Sequence, residues 1–132
     1  MIPRIIVWDM DGTLSYDDGK YDHPKEWTPL AELLNLMAND TYHILVTGSD
    51  QLEQSVREKF NKVITRPFPL EPYNTYYSRY FQWKIDTIKE IQPALVFDDD
   101  QQICRALLAR GIKAIWVPQY SYIPKIPFKE EK

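Results

Sequence analysis

A single cysteine, Cys104, stands in the 132 residues, so no internal disulfide can hold this chain together. Stability has to come from a packed core, and 44% hydrophobic content is enough for one domain of this length. No apolar run approaches the ~20 residues that span a bilayer, which leaves a membrane role without support. The start, MIPRIIVWDMDG, has neither the apolar length nor the small-residue cleavage site of a secretory signal, and the expected setting is the cytoplasm. The four glycines nowhere form a Walker A loop, so a P-loop kinase is excluded. Basic charge is scarce as well. A formal charge of −3 and a pI near 5.4 exclude a general polyanion binder and leave any nucleic-acid contact to a local cluster of Lys and Arg. The two histidines, His23 and His43, read as structural, and Cys104 reads as a core residue on an apolar helix face.

Against these absences stand five short apolar runs rich in, or bounded by, β-branched residues: 4–8, 43–47, 63–66, 94–97 and 113–117. They read as buried strands. Segments of helical period lie between them. The first opens with Thr28 as N-cap and Pro29 at the first helical position, and turns Leu30, Leu33, Leu34 and Met37 to one face. A second is expected from near Asp50, with Leu52, Val56 and Phe60 inward. The third carries Phe81, Ile85 and Ile88 and must stop before Pro93, and the fourth runs from about Asp100, itself an N-cap, to a Gly111 terminator.

Strict alternation of strand and helix predicts an α/β fold, a Rossmann-like three-layer sandwich around a central parallel sheet of about five strands. Residues 1–118 form the domain, and 119–132, with Pro124, Pro127 and a charged KEEK end, form an extended C-terminal arm. In such sheets function collects at the carboxyl ends of the strands. The residues expected there are Asp9 and Asp11 after the first strand, Thr47 at the second, Arg66 at the third, and Asp98, Asp99 and Asp100 after the fourth.

Asp9-Met10-Asp11-Gly12-Thr13-Leu14, directly after an apolar strand, resembles the first motif of the haloacid dehalogenase (HAD) superfamily, DxDGT. The resemblance continues in order. ILVTGS with Thr47 is similar to the second motif, Lys84 on a helix before the fourth strand to the third, and LVFDDD to the fourth, so that the four together cover nearly the whole domain. The resemblance implies a HAD-like phosphatase that cleaves phosphomonoesters through an aspartyl-phosphate on Asp9, with Mg²⁺ as cofactor. Its catalytic residues would be Asp9, Asp11, Thr47 and Lys84. Asp9, the Asp11 backbone carbonyl, Asp99 as main acid and Asp98 as second or alternate acid would hold the metal. The Thr47 hydroxyl and the backbone N–H groups of Gly48 and Ser49 would bind phosphate oxygens, and Gly12 would permit a tight turn beneath the metal.

The chemistry needs such a set. A carboxylate approaching a phosphate dianion at ~4 Å meets about 4 kcal/mol of repulsion per like-charge pair at an effective dielectric of 20. A bound Mg²⁺ and the fixed charge of Lys84 can cancel it, freeing Asp9 as nucleophile. Asp11, two residues on, can protonate the leaving alcohol and later deprotonate the attacking water.

Other readings fit less well. Asp17, Asp18 and Asp22 suit turns and caps. An EF-hand calcium loop would need a preceding helix and further oxygen ligands, but a strand precedes Asp9. A receiver domain would carry its acceptor Asp after the third strand, where Arg66 stands. A catalytically idle HAD fold used for binding would not need the full set of acids, and dehalogenase chemistry does not suit Asp11 and the metal acids.

The spacing leaves room for no large cap domain, either between Asp11 and Thr47 or between Thr47 and Lys84. An open site suits a large substrate, or a small one closed over in a homo-oligomer. Phe68, Tyr73, Tyr76, Tyr77, Tyr80, Phe81 and Trp83, with Arg66 and Arg79 among them, could stack a base and hold a phosphate while several of the rings simply cover the core. Arg66 is the favoured substrate-binding residue. The order of strand, arginine, aromatic loop, lysine helix and paired Asp resembles, more loosely, the 3′-phosphatase domain of polynucleotide kinase-phosphatases. A nucleotide or nucleic-acid end is the expected phosphorylated partner, with a sugar phosphate or phosphoprotein as the alternative.

Overall fold

The computed structural model describes residues 4–16, 26–37, 40–49, 52–69 and 73–119. Asp17, Asp18, Asp22, His23 and Asp50, and all of the C-terminal arm beyond residue 119, lie outside the described residues. Five strands form one sheet: β1 (Arg4–Trp8), β2 (Thr41–Thr47), β3 (Lys62–Thr65), β4 (Leu95–Asp98) and β5 (Ala114–Trp116). All neighbours run parallel, in the order β3-β2-β1-β4-β5. The chain thus builds outward from β1 on one side and then returns to build outward on the other. The crevice at such a reversal, outside the carboxyl ends of β1 and its neighbours, is where open α/β sheets bind ligands.

The helices are α1 (Glu32–Leu36), entered through a 3₁₀ turn at Pro29–Ala31, then α2 (Gln54–Arg57), α3 (Tyr73–Ile91) and α4 (Gln101–Ala109). Alternation along the strands feeds two separate cores. Ile6, Trp8, Leu45 and Phe97 pack with Leu34, Val56 and Phe60 on one face. Val7, Ile44, Val46 and Val96 pack with Ile85, Ile88, Ile103 and Leu107 on the other. A strand buried on both faces is apolar except where a polar side chain finds a partner, as His43 does with Trp8, which is why β1 and β2 read as largely hydrophobic runs. Among the described residues no helix is long and apolar enough to cross a membrane.

Local signals explain both ends of α4 and the end of α3. Asp100 caps α4, its Oδ1 accepting from the N–H of Gln102 and Ile103 at 2.9 and 3.2 Å, and Gly111 closes the helix at φ +81°. The α3 helix ends at Ile91, just ahead of Pro93, whose ring cannot continue a helix. Thr28 behaves differently from the expected cap. Its hydroxyl makes no capping bond and instead donates to the carbonyl of Thr13 at 2.7 Å, so it ties the start of α1 to the turn after β1. The expected second helix is reduced to the single turn of α2, although Leu52, Val56 and Phe60 do face the core.

His43 is structural, as the sequence suggests. Trp8, fully buried, stacks on Phe97 with centroids 4.6 Å apart, and its indole N–H donates to His43 Nδ1 at 3.0 Å. The other ring nitrogen, Nε2, lies 3.3 Å from the carbonyl of Met37. Accepting at Nδ1 requires the neutral tautomer, and burial lowers the pKa of His43 from its usual 6.5 in the same sense.

Candidate active site

Asp9 is the first residue beyond β1 and still continues the ladder, its N–H donating to the carbonyl of Phe97 at 3.0 Å. The chain then folds back on itself. The N–H groups of Leu14 and Ser15 both reach the carbonyl of Met10 at 3.0 Å, and that of Gly12 reaches Ser15 at 2.7 Å. Gly12 sits at φ +82°, and a Cβ there would collide with Oδ2 of Asp99 and crowd Gln119. The glycine therefore serves both the turn and the approach of the two acidic loops. Gly12→Ala should cost about 1–2 kcal/mol through its left-handed backbone alone, and should also displace Asp99. The check is a urea melt together with a Mg²⁺ titration. A melt superimposable on wild type would contradict the tightness of this turn.

The turn aims Asp9 inward, 5% exposed. Thr13 Oγ1 donates to its Oδ2 at 3.1 Å. Lys84, on α3 and fully buried, donates to its Oδ1 at 2.6 Å. The same ammonium lies 2.8 Å from Asp98 Oδ2 and donates to the hydroxyl of Tyr80 at 3.0 Å. Asp98 Oδ1 accepts from the N–H of Asp100 at 2.8 Å. Its Oδ2 has the Lys84 charge close by, but no aligned hydrogen bond. Carboxylate oxygens of Asp9, Asp98 and Asp99 all lie within 4.8 Å of one another. Asp11 stands outside this group, its Oδ1 3.5 Å from the hydroxyl of Ser15, so a metal role for Asp11 rests on its backbone carbonyl.

Three acids facing one ammonium cannot all be charged cheaply. Burial first, and then the charge of Asp99, push the Asp9 carboxyl up to about 7 against the pull of Lys84. Burial and the charge of Asp9 push Asp98 up to about 7, and burial raises Asp99 to about 6. Burial disfavours the Lys84 ammonium, yet Asp9 and Asp98 hold its pKa well above the usual lysine range. Burial, with Asp9 and Asp98 nearby, likewise keeps the Tyr80 phenol protonated well beyond its usual range. One lysine leaves a surplus of negative charge whenever the acids ionise. An oxygen-rich pocket with that surplus and an unaligned buried carboxylate oxygen suits a divalent cation such as Mg²⁺.

This surplus has a measurable consequence. In chelator, the folded acids hold protons that the unfolded chain, with carboxyls near 3.8, has given up. The stabilisation is full below about pH 4 and is lost as pH rises towards about 7. His43 acts in the opposite sense, but only below 6.5 and as one group against three. The expected result is a Tm in chelator that falls between pH 5 and pH 8, with Mg²⁺ restoring it at the upper end and doing little at the lower. A flat profile would show that the acids do not share a site.

The remaining expected residues surround this centre. Thr47, at the end of β2 and 1% exposed, accepts the N–H of Ser49 at 3.1 Å and so shapes the Gly48-Ser49 loop. Arg66 lies one residue past β3, 8% exposed. Its Nε donates to the carbonyl of Gly48 at 2.6 Å and its Nη1 to that of Phe68, while its guanidinium sits 5.8 Å from the centroid of Tyr76. It thus ties together the loops that follow β2 and β3. Asp99 is anchored through its carbonyl, which accepts from Trp116 Nε1 at 3.1 Å.

Two of these partners were not singled out from sequence as part of the centre. Tyr80 stands one helical turn before Lys84, an i, i+4 spacing that could have flagged it. Trp116 ends β5, on the same sheet edge as the other candidates. No protein-family model and no curated protein matches this chain.

Proposed function

We propose that the protein is a Mg²⁺-dependent phosphomonoester hydrolase of the HAD type, acting through an aspartyl-phosphate on Asp9, on a nucleotide or nucleic-acid terminal phosphate. The observation that carries this reading is the buried ammonium of Lys84, set between Asp9 and Asp98 with Asp99 beside them. A nucleophilic carboxylate needs such a fixed cation to approach a phosphate. Asp9, Asp98, Asp99 and the Asp11 carbonyl would hold Mg²⁺, which supplies the further positive charge that the acids lack.

In the first displacement a carboxylate oxygen of Asp9 bonds to phosphorus as the ester P–O bond breaks, and Asp11 gives its proton to the departing alkoxide. In the second, Asp11 takes a proton from water, the oxygen of that water bonds to phosphorus, and the acyl-phosphate P–O bond breaks. Inorganic phosphate leaves and the Asp9 carboxylate returns. Asp11, half-exposed on the turn that Gly12 opens, has the access to solvent that a proton carrier needs. The Ser49 N–H is spent on Thr47 Oγ1, so the loop, braced by Arg66, would hold the phosphate oxygens through the Thr47 hydroxyl proton and the Gly48 N–H.

The nucleotide part of the reading is supported by the rings beside that loop. Tyr76 and Phe68, both part-exposed, meet edge-on at 6.1 Å, and the Tyr76 hydroxyl abuts Gly48. The absence of a cap domain belongs to the same proposal, as does a cytoplasmic setting, with which the lone buried thiol of Cys104 is compatible.

Hydrolysis of p-nitrophenyl phosphate that requires Mg²⁺ and stops in excess chelator is the expected result. A screen over mononucleotides, oligonucleotide ends, sugar phosphates and phosphopeptides then fixes the substrate. Activity undiminished in chelator would refute the mechanism, and a preference for sugar phosphates or phosphopeptides would refute the substrate class alone.

A further inference from the structure

An ammonium group has three donors to place. Lys84 gives one to Asp9 Oδ1 and one to the Tyr80 hydroxyl. The remaining contact, with Asp98 Oδ2, is close but unaligned. Two carboxylates therefore share one cation, and the neutral phenol is its third partner. Tyr80 is itself fixed from several sides. Its ring stacks on Tyr76 with centroids 5.7 Å apart and an interplanar angle of 15°, and it leans on Trp83 at 5.9 Å. Its edge closes on Gly48, where an added Cβ would lie 2.9 Å from Tyr80 Cε1. The loop after β2 and the helix that carries Lys84 thus set the position of one hydroxyl.

The need for this anchor is greatest in mid-reaction. When Asp9 becomes an acyl phosphate, its negative charge moves out onto the phosphoryl oxygens, and the carboxyl oxygen left against Lys84 is a neutral carbonyl, while Asp98 keeps its charge 2.8 Å away. We infer that Tyr80 is a positioning residue, whose hydroxyl holds the Lys84 ammonium against Asp9 when Asp98 would otherwise draw it away. The inference rests on the phosphatase reading for its catalytic consequence, and on the geometry alone for the anchoring itself.

Tyr80→Phe removes the hydroxyl and keeps the stacked ring. With p-nitrophenyl phosphate and saturating Mg²⁺, kcat should fall about 10- to 100-fold, the usual range for loss of an outer-shell partner, with KM within about twofold of wild type. The anchoring is read separately from the ¹⁵N signal of the Lys84 side-chain ammonium, identified by its loss in Lys84→Arg. In Tyr80→Phe this signal should shift and exchange faster with water. An unchanged kcat, or a KM that rises with kcat intact, overturns the inference, as does a lower kcat with an unmoved Lys84 signal. A wild-type protein without phosphatase activity but with a displaced Lys84 signal in Tyr80→Phe would instead sink the phosphatase reading and leave the anchor standing.

Discussion

Replacing Lys84 with methionine should cost about 3–5 kcal/mol of folding stability near pH 8, the usual penalty for removing one partner of a buried ion pair. The lysine is 0% exposed, and both of its carboxylate partners are buried with it. Methionine fills a similar volume with an unbranched apolar chain, so packing is largely kept and the loss is electrostatic. What remains is Asp9, Asp98 and Asp99 within 4.8 Å of one another and no cation among them.

Near pH 5 the same substitution should be much milder. Asp9 and Asp98 already hold protons up to about pH 7 with Lys84 present, and removing the positive charge raises both further. Acid then neutralises the acids that the lysine no longer balances. Urea melts of both proteins at the two pH values measure the difference. An equal loss at pH 5 and pH 8 would mean that Lys84 stabilises the fold by packing alone.

The three central strands, β2, β1 and β4, were legible because they are buried on both faces along most of their length and so announce themselves as apolar runs. The edge strands β3 and β5 were legible from their β-branched residues. β1 runs from Arg4 to Trp8 in the sequence reading and in the structure alike. β2 starts two residues before the apolar run, because Thr41 and Tyr42 pair with Arg4 and Ile5 at the sheet's open end, where burial is partial. Helix ends followed local rules at Asp100, Gly111 and Pro93 and broke them at Thr28, where a tertiary partner, the carbonyl of Thr13, claimed the hydroxyl that would have capped α1. The list of acids near Asp9 was legible from their places at strand ends. The division of labour among them was not, because Lys84 reaches Asp9 across 75 positions of sequence and Asp98 across 14. Arg66 shows the same limit. Its place after a buried strand was readable, but its grip on the carbonyls of Gly48 and Phe68 depends on how two loops meet.

Asp9→Asn should leave a folded protein with almost no phosphatase activity, a fall in kcat on the order of 10⁴-fold or more, as for loss of other covalent nucleophiles. The amide is nearly isosteric with the carboxylate. Its oxygen can still accept from Lys84, and its NH₂ can face Asp99, so the hydrogen bonds around position 9 have replacements. One of three crowded negative charges disappears, and in chelator near pH 8 the variant should melt no lower than wild type. That pairing of outcomes separates chemistry from folding, since a variant that lost activity by unfolding would show both losses. Mass spectrometry of protein quenched in acid during turnover supplies the direct reading. Wild type should carry a phosphoryl adduct on the peptide that contains Asp9, and Asp9→Asn none. An adduct on another residue, or wild-type turnover in the variant, would remove Asp9 from the role on which the proposed activity depends.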